Sequence, residues 1–248
     1  MLNELNLLKN SGYTYDLYNI LHPFRKKLKF NFISGDVTTV PECPTFVKSR
    51  PIKGENDNSV LLPLDSKRHF RFVDDKVSFS RKLDGIVWRG AAYQSHRLCF
   101  LKTCSDLSFI DAGNTARSKE NDIPYAKPKM SIKEQLKFKF ILSLEGNDVA
   151  TNLKWIMSSN SVCIMPRPKF ETWFKEGTLI PNYHYIEIKD DFSDLSEKYN
   201  KYIKLDKKCA DIIKNANDYV SEFYSLKKRI ILARAVCLKY HEYNELYY

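Results

Sequence analysis

Glycine is scarce in this chain, with eight residues in 248 spread over the whole length. With neither an internal repeat nor a low-complexity tract beside them, the sequence excludes a solenoid and a flexible array of modules. Nowhere does an apolar run approach the roughly 18 to 20 residues that a membrane-spanning helix needs. The opening Met-Leu-Asn-Glu-Leu-Asn lacks the basic and apolar regions of a secretory signal, so the expected location is the cytoplasm. Six cysteines, Cys43, Cys99, Cys104, Cys163, Cys209 and Cys237, form no C-x-x-C pair and sit mostly in apolar segments. Reduced thiols used as small hydrophobes fit that placement better than a disulfide framework or a zinc site. The five histidines show no H-x-x-x-H or H-E-x-x-H spacing, so no metal site is expected. G-x-S-x-G, P-loop and G-x-G-x-x-G signatures are also missing, which sets aside serine hydrolases, Walker-type ATPases and NAD enzymes as first readings.

What is present is the composition of a globular protein: 43% hydrophobic, 13% aromatic and 28% charged. Forty Lys and Arg against thirty Asp and Glu give +10, which favours an anionic partner. Nucleic acid, a phosphorylated small molecule and an anionic membrane surface all satisfy it, and so does a merely solvated basic surface.

From Leu83 onward the pattern alternates. Gly85 to Gly90 reads as a buried strand, Ser95 to Cys104 as a helix and Leu107 to Asp111 as a strand, before a polar loop from Asn114 to Pro128. Ser131 and Glu134 make a capping box opening a helix, followed by a strand at Phe140 to Leu144, a helix at Val149 to Ser158 and a strand at Ser161 to Met165. A further strand at His184 to Ile188, a helix at Ser193 to Tyr202 and two long helical stretches complete the chain. This is the pattern of a doubly wound α/β domain, whose ligands collect beyond the carboxyl ends of the strands. The first 80 residues are less regular: helices at Leu2 to Lys9 and Tyr15 to Lys27, then strands at Phe30 to Ser34, Thr45 to Val47 and Val60 to Leu64. The expected organisation is a small α/β unit over 1–80, a larger one over 81–225 and a C-terminal helix over 226–248. Leu226, Ile230, Ala233 and Cys237 give that helix an apolar face.

Two strand-to-helix turns stand out. Glu145-Gly146-Asn147-Asp148 precedes the helix expected from Val149, the geometry in which free backbone N–H groups face an anion such as a diphosphate. On that helix Val149, Leu153, Ile156 and Met157 share a core face, whereas Asn152 and Lys154 point elsewhere and are available to a phosphate or a sugar hydroxyl. An ordinary turn with Asp148 as N-cap satisfies the same pattern. The second turn follows Trp88-Arg89-Gly90, where Ala91 and Ala92 leave room for a ligand and Arg97 falls in the next helix. Gly35-Asp36-Val37 ends a strand of the N-terminal unit on a carboxylate, or is simply a turn. The pairs Asp74-Asp75 and Asp190-Asp191 resemble acidic metal-diphosphate clamps but are expected to lie away from the cleft.

The run from Leu144 to Trp155, then Ser161-Val162, Glu171, Trp173-Phe174, His184-Tyr185 and Asp194-Leu195, resembles glycosyltransferase family 90. That family holds protein O-glucosyltransferases, capsule-associated xylosyltransferases and lipopolysaccharide-core glycosyltransferases. Trp88-Arg89-Gly90 with Arg97 is similar to the family's aromatic-Arg-Gly segment and later arginine, and Gly35-Asp36 with Val40-Pro41 resembles the segment of its catalytic aspartate. The resemblance implies a GT-B-like α/β architecture, two Rossmann-like halves around a cleft with the C-terminal helix packing back across. It also implies inverting transfer from a UDP-sugar to a saccharide or lipid-linked saccharide, without a metal or other cofactor. Asp36 would be the base and Arg97 would neutralise the leaving diphosphate. Arg89, Gly90, Ala91 and the turn Glu145, Gly146, Asn147, Asp148, Val149, Ala150, Thr151 and Asn152 would line the nucleotide, and because Asn152 stands where eukaryotic members carry an arginine, Lys154 would supply the second charge instead. A lipopolysaccharide-core or other surface glycan is the expected acceptor, and the basic surface would then meet the inner face of an anionic membrane. The rival is a basic nucleic-acid-binding module without catalysis. Its basic residues are dispersed, however, and no RNP, zinc-finger or helix-turn-helix signature appears.

Overall fold

A computed structural model describes residues 11–27, 29–117 and 123–247. The helix expected at Leu2 to Lys9 lies outside the described residues.

The frame of the molecule is a five-stranded parallel sheet of β4 (Leu83–Gly90), β5 (Ile110–Asn114), β6 (Phe138–Leu142), β7 (Val162–Pro166) and β9 (Ile186–Ile188), in the order β5-β4-β6-β7-β9. Period-two alternation sorts its side chains. Ile86, Trp88, Phe140, Leu142 and Ile164 enter one core, while Val87, Ile141, Cys163 and Met165 enter the other. The first core is covered by α3 (Ser95–Cys104) and α6 (Leu195–Tyr202), the second by α5 (Leu153–Met157), and α7 (Asp206–Ser221) contributes to both. In such an order the chain reverses its direction of travel across the sheet between β4 and β6. Their carboxyl ends therefore diverge and open a crevice.

Several boundaries differ from those expected. The strand expected from Leu107 starts at Ile110, because hydrogen bonds from Leu107 N to Cys104 O and from Ile110 N to Leu107 O turn the chain first. The capping box forms as expected, with Ser131 accepting from Glu134 N and Glu134 from Ser131 N, yet the helix it opens, α4, covers only Ile132–Gln135. The helix expected from Val149 is the five-residue α5, beginning at Leu153 with Asn152 at its N-cap.

The first 80 residues carry less sheet than expected. After α1 (Gly12–Leu21), β1 (Thr45–Val47) pairs in parallel with β3 (Ser59–Leu61), and Phe30 to Ser34 supplies only a bridge from Phe32 to Phe46. A second Rossmann-like sheet is not among the described residues. Instead β2 (Ser49–Pro51) runs antiparallel to β8 (Phe170–Thr172) from the far side of the chain, reinforced by Arg50 and Glu171 at 2.9 Å. After the single-turn α2 (Ser66–His69), the last helix, α8 (Leu226–Tyr247), returns to this unit. Its Ala233, Cys237 and Tyr240 pack with Leu17, Ile20, Leu21, Phe46 and Leu62, and the Tyr240 hydroxyl accepts from Asn31 N and donates to Pro44 O. Leu226, expected on the buried face of this helix, is exposed.

Candidate active site

At the crevice between β4 and β6 lies a cavity of about 440 Å³. Glu145, Gly146, Asn147, Val149 and Ala150 line it from the β6 side, with His96 from the start of α3 and Phe170 from the opposite wall. Asp190 lines it too, paired with Lys169 at 3.0 Å, against the expectation that this acidic pair lies away from the cleft. Asp75 is elsewhere, buried on Lys82 at 2.7 Å. Among the described residues no three His, Cys, Asp or Glu side chains gather as metal ligands.

Arg97 knits the two turns together. Its Nε donates to Glu145 O, Nη1 to Ala91 O and Nη2 to Leu144 O, each at 2.8 Å. No carboxylate balances it among the described residues, and burial lowers its pKa to about 10, leaving it a cation at neutral pH. Those bonds use three of the five guanidinium N–H groups. A Cβ on Gly146 would stand 3.4 Å from Nη2, so glycine there keeps that side of the guanidinium uncrowded. The Glu145 carboxylate accepts from Lys169 N and Phe170 N, but burial outweighs both bonds and pushes its pKa up to about 7.

Asp36 is presented by Gly35, whose φ of +101° is a conformation side chains rarely adopt. Its Oδ1 accepts from Lys48 Nζ at 2.6 Å and from the Tyr13 hydroxyl at 3.1 Å, while among the described residues Oδ2 accepts only from Asn147 Nδ2, at 3.3 Å. Burial alone would raise this carboxyl, but the hydrogen bond and charge of Lys48, helped by Arg68, hold it below the usual carboxylate range. Burial and the charge of Asp36 push the Tyr13 phenol upward. Asn147 also accepts from Gln94 Nε2 at 2.9 Å, so Asp36 on the N-terminal unit is joined to both turns of the sheet domain.

Lys48, which sequence reasoning missed, is the hub of this junction. It is 1% exposed and lies within 2.5 Å of Asp148 Oδ2 as well as on Asp36. The second contact is an ion pair by distance without the angle of a hydrogen bond. One ammonium thus stands between two carboxylates, at the end of an apolar strand where a lysine is tolerated only if paired.

Several expected nucleotide contacts need correction. Lys154 is fully buried against Glu176, whose carboxylate also accepts from Thr172 N, so its charge is already neutralised inside the core. Asn152 accepts from Ser143 Oγ and donates to Leu142 O, which ties down the end of β6. Asp148 is no helix cap but the partner of Lys48, because the helix starts later. Arg89 turns along β5, with Nη2 on Asp111 Oδ1 at 2.8 Å and Nε on Pro128 O. Thr151 lines a different cavity, shared with Trp155. Gly90 ends β4 and Ala91 contributes its carbonyl to Arg97.

Residues 66–233 match the model of glycosyl transferase family 90. The chain belongs to that family. It is 47% identical over 233 residues to an O-glucosyltransferase LpsA of Dichelobacter nodosus, covering 94% of this chain and 73% of that protein. An uncharacterized protein 179R of Invertebrate iridescent virus 6 is 29% identical over 113 residues, 43% of this chain and 9% of that protein. Arg97 and the turn from Glu145 to Ala150 lie within the matched span, whereas Asp36 lies outside it.

Proposed function

We propose that this glycosyltransferase moves a sugar, glucose as in the name of its Dichelobacter relative, from a UDP-sugar to a saccharide hydroxyl, inverting the anomeric centre without a metal ion. The observation that carries the reading is Arg97, a partly buried cation whose hydrogen bonds among the described residues all go to carbonyl oxygens and which keeps N–H groups to spare at the sheet's switch point. A departing diphosphate supplies the missing negative charge. Across the crevice Asp36 has one oxygen filled by Lys48 and Tyr13 and the other nearly free. The acceptor hydroxyl gives its proton to that second oxygen as its own oxygen attacks the anomeric carbon, and the bond from that carbon to the diphosphate breaks with its electron pair going to UDP. Charge growing on the leaving oxygen is met by Arg97, already in place. Lys48 keeps Asp36 ionised before the acceptor arrives.

A lipopolysaccharide-core or other surface saccharide is the proposed acceptor, met at the inner face of an anionic membrane. The +10 charge supports that placement, and no helix among the described residues is long and apolar enough to cross a bilayer. A donor screen reading nucleotide release with and without candidate saccharides, run in excess EDTA, tests the reading. Acceptor-dependent release of UDP in EDTA is expected. Activity that vanishes in EDTA and returns with manganese would overturn metal independence, and thermal stabilisation by an oligonucleotide but not by UDP would overturn the transferase reading.

A further inference from the structure

On the other side of the turn that lines the nucleotide cavity lies a second cavity, of about 360 Å³. It is lined by Asp65, Lys67, Arg68 and Arg71 from the N-terminal unit and by Thr151 and Trp155 from the sheet domain. Arg68 reaches Asp65 at 3.3 Å, which leaves the other two cations in excess. Neither Lys67 nor Arg71 has an ion pair or hydrogen-bonded side chain among the described residues. The Thr151 hydroxyl and the indole N–H of Trp155 make no side-chain hydrogen bond among them either, so both are open to the cavity they line. Cations and donors drawn from two separate parts of the chain thus line one cavity, and Asp65 is the one anionic side chain among them.

The cavity also adjoins the chemistry. Arg68 at its edge helps hold Asp36 below the usual carboxylate range, so charge bound in the cavity is felt at the carboxylate assigned as base. Thr151 follows immediately on Val149 and Ala150, which face the nucleotide cavity, so the two cavities share one wall. A group bound across that wall from the nucleotide is assigned to the acceptor.

We infer that this cavity is an oxyanion subsite that holds an acidic substituent of the acceptor saccharide, a phosphate or a carboxylate, through Lys67, Arg71, Thr151 and Trp155. The inference rests on the transferase reading for the word acceptor, but the subsite itself does not. Guanidinium and ammonium groups with hydroxyl and indole donors are the recognition chemistry of such an oxyanion. Holding a charged substituent there would fix which hydroxyl of the saccharide reaches Asp36, because one anchored group and one reacting group define an orientation.

The test is calorimetric binding of glucose 6-phosphate, glucuronic acid and glucose to the wild-type chain and to the Lys67→Ala/Arg71→Ala double variant, with UDP titrated in parallel. Both replaced side chains are exposed, so the variant is expected to fold. The wild type should bind at least one of the acidic sugars about tenfold or more tightly than glucose, and the variant should lose that preference while keeping its UDP affinity. Preference for glucose 6-phosphate assigns a phosphate, and preference for glucuronic acid a carboxylate. Saturating UDP should leave the acidic sugar bound. Equal affinity for all three sugars, a preference that survives in the double variant, or displacement of the acidic sugar by UDP would each overturn the subsite. A wild type that prefers the acidic sugar but fails to bind UDP would instead overturn the transferase reading and leave the subsite standing.

Discussion

Replacing Lys48 by methionine tests the junction between the two parts of the molecule. The substitution keeps most of the side-chain volume and removes only the ammonium. Two carboxylates, Asp36 and Asp148, then lose their shared counterion, and Asp148 at 2% exposure has no water to replace it. Breaking a buried ion pair from one side typically costs about 3 to 5 kcal/mol. Asp36 is 21% exposed and recovers part of its solvation, which places the expected loss near the lower end, about 3 kcal/mol. For a chain of this size that corresponds to a fall in Tm of roughly 6 to 12 °C. The sign of the pH dependence follows from Asp36. Its folded-state pKa is depressed, so its contribution is present above the ordinary carboxylate value and disappears as pH falls through the lower one. The gap between wild type and Lys48→Met should therefore be full at pH 7 and narrow below about pH 4. Thermal unfolding followed by circular dichroism across that range reads both numbers. A loss under about 1 kcal/mol at pH 7, or a gap that stays constant down to acid pH, would refute the argument that Lys48 holds these carboxylates together.

Three further changes probe the crevice. Asp36→Asn should lower turnover by roughly 100-fold or more with UDP affinity nearly unchanged, and near-normal turnover removes Asp36 from the mechanism. Arg97→Ala should weaken UDP binding by roughly 2 to 4 kcal/mol and UMP binding by less, whereas equal losses for UDP and uridine would mean that the arginine only braces the two turns. Glu145, with its carboxyl raised to about 7, keeps a proton in the folded state that the unfolded chain loses near pH 4.5. Stability should therefore fall by roughly 3 kcal/mol as pH rises through that window, and Glu145→Gln, which still accepts from Lys169 N and Phe170 N, should flatten the slope; an unchanged slope in urea titrations at several pH values would contradict it.

The sheet domain was largely legible in the sequence because its signals are local. Period-two burial in Ile86 to Trp88 and Phe140 to Leu142, the Ser131–Glu134 box and the amphipathic helices each announce themselves within a few residues. Errors there were of boundary, as with β5 and α5. What the sequence concealed depends on partners far along the chain. Nothing near Ser49 to Pro51 signals that this strand pairs with residues 170–172, and nothing near Lys154 reveals that Glu176 neutralises it. Spacing placed Lys154 off the apolar face and open to a ligand, but the structure buries it over the Phe174 ring, since a charged side chain can be buried when its counterion arrives from elsewhere. Lys48 was hidden for the same reason: both its partners lie outside its own strand.

The return of α8 to the N-terminal unit fixes the order in which a nascent chain can assemble these parts. The five strands and their covering helices need only residues up to about Phe223, and can close while the last helix is still being synthesised. The core around Leu17, Phe46 and Leu62 must wait for Ala233, Cys237 and Tyr240, so the segment made first is among the last to settle. The β4–β6 crevice is thus completed before Asp36 is held in position. Loss of the final helix would then unsettle the unit that carries Asp36 and spare the turns joined by Arg97, so on the proposed mechanism such a chain keeps its grip on a nucleotide and loses the base.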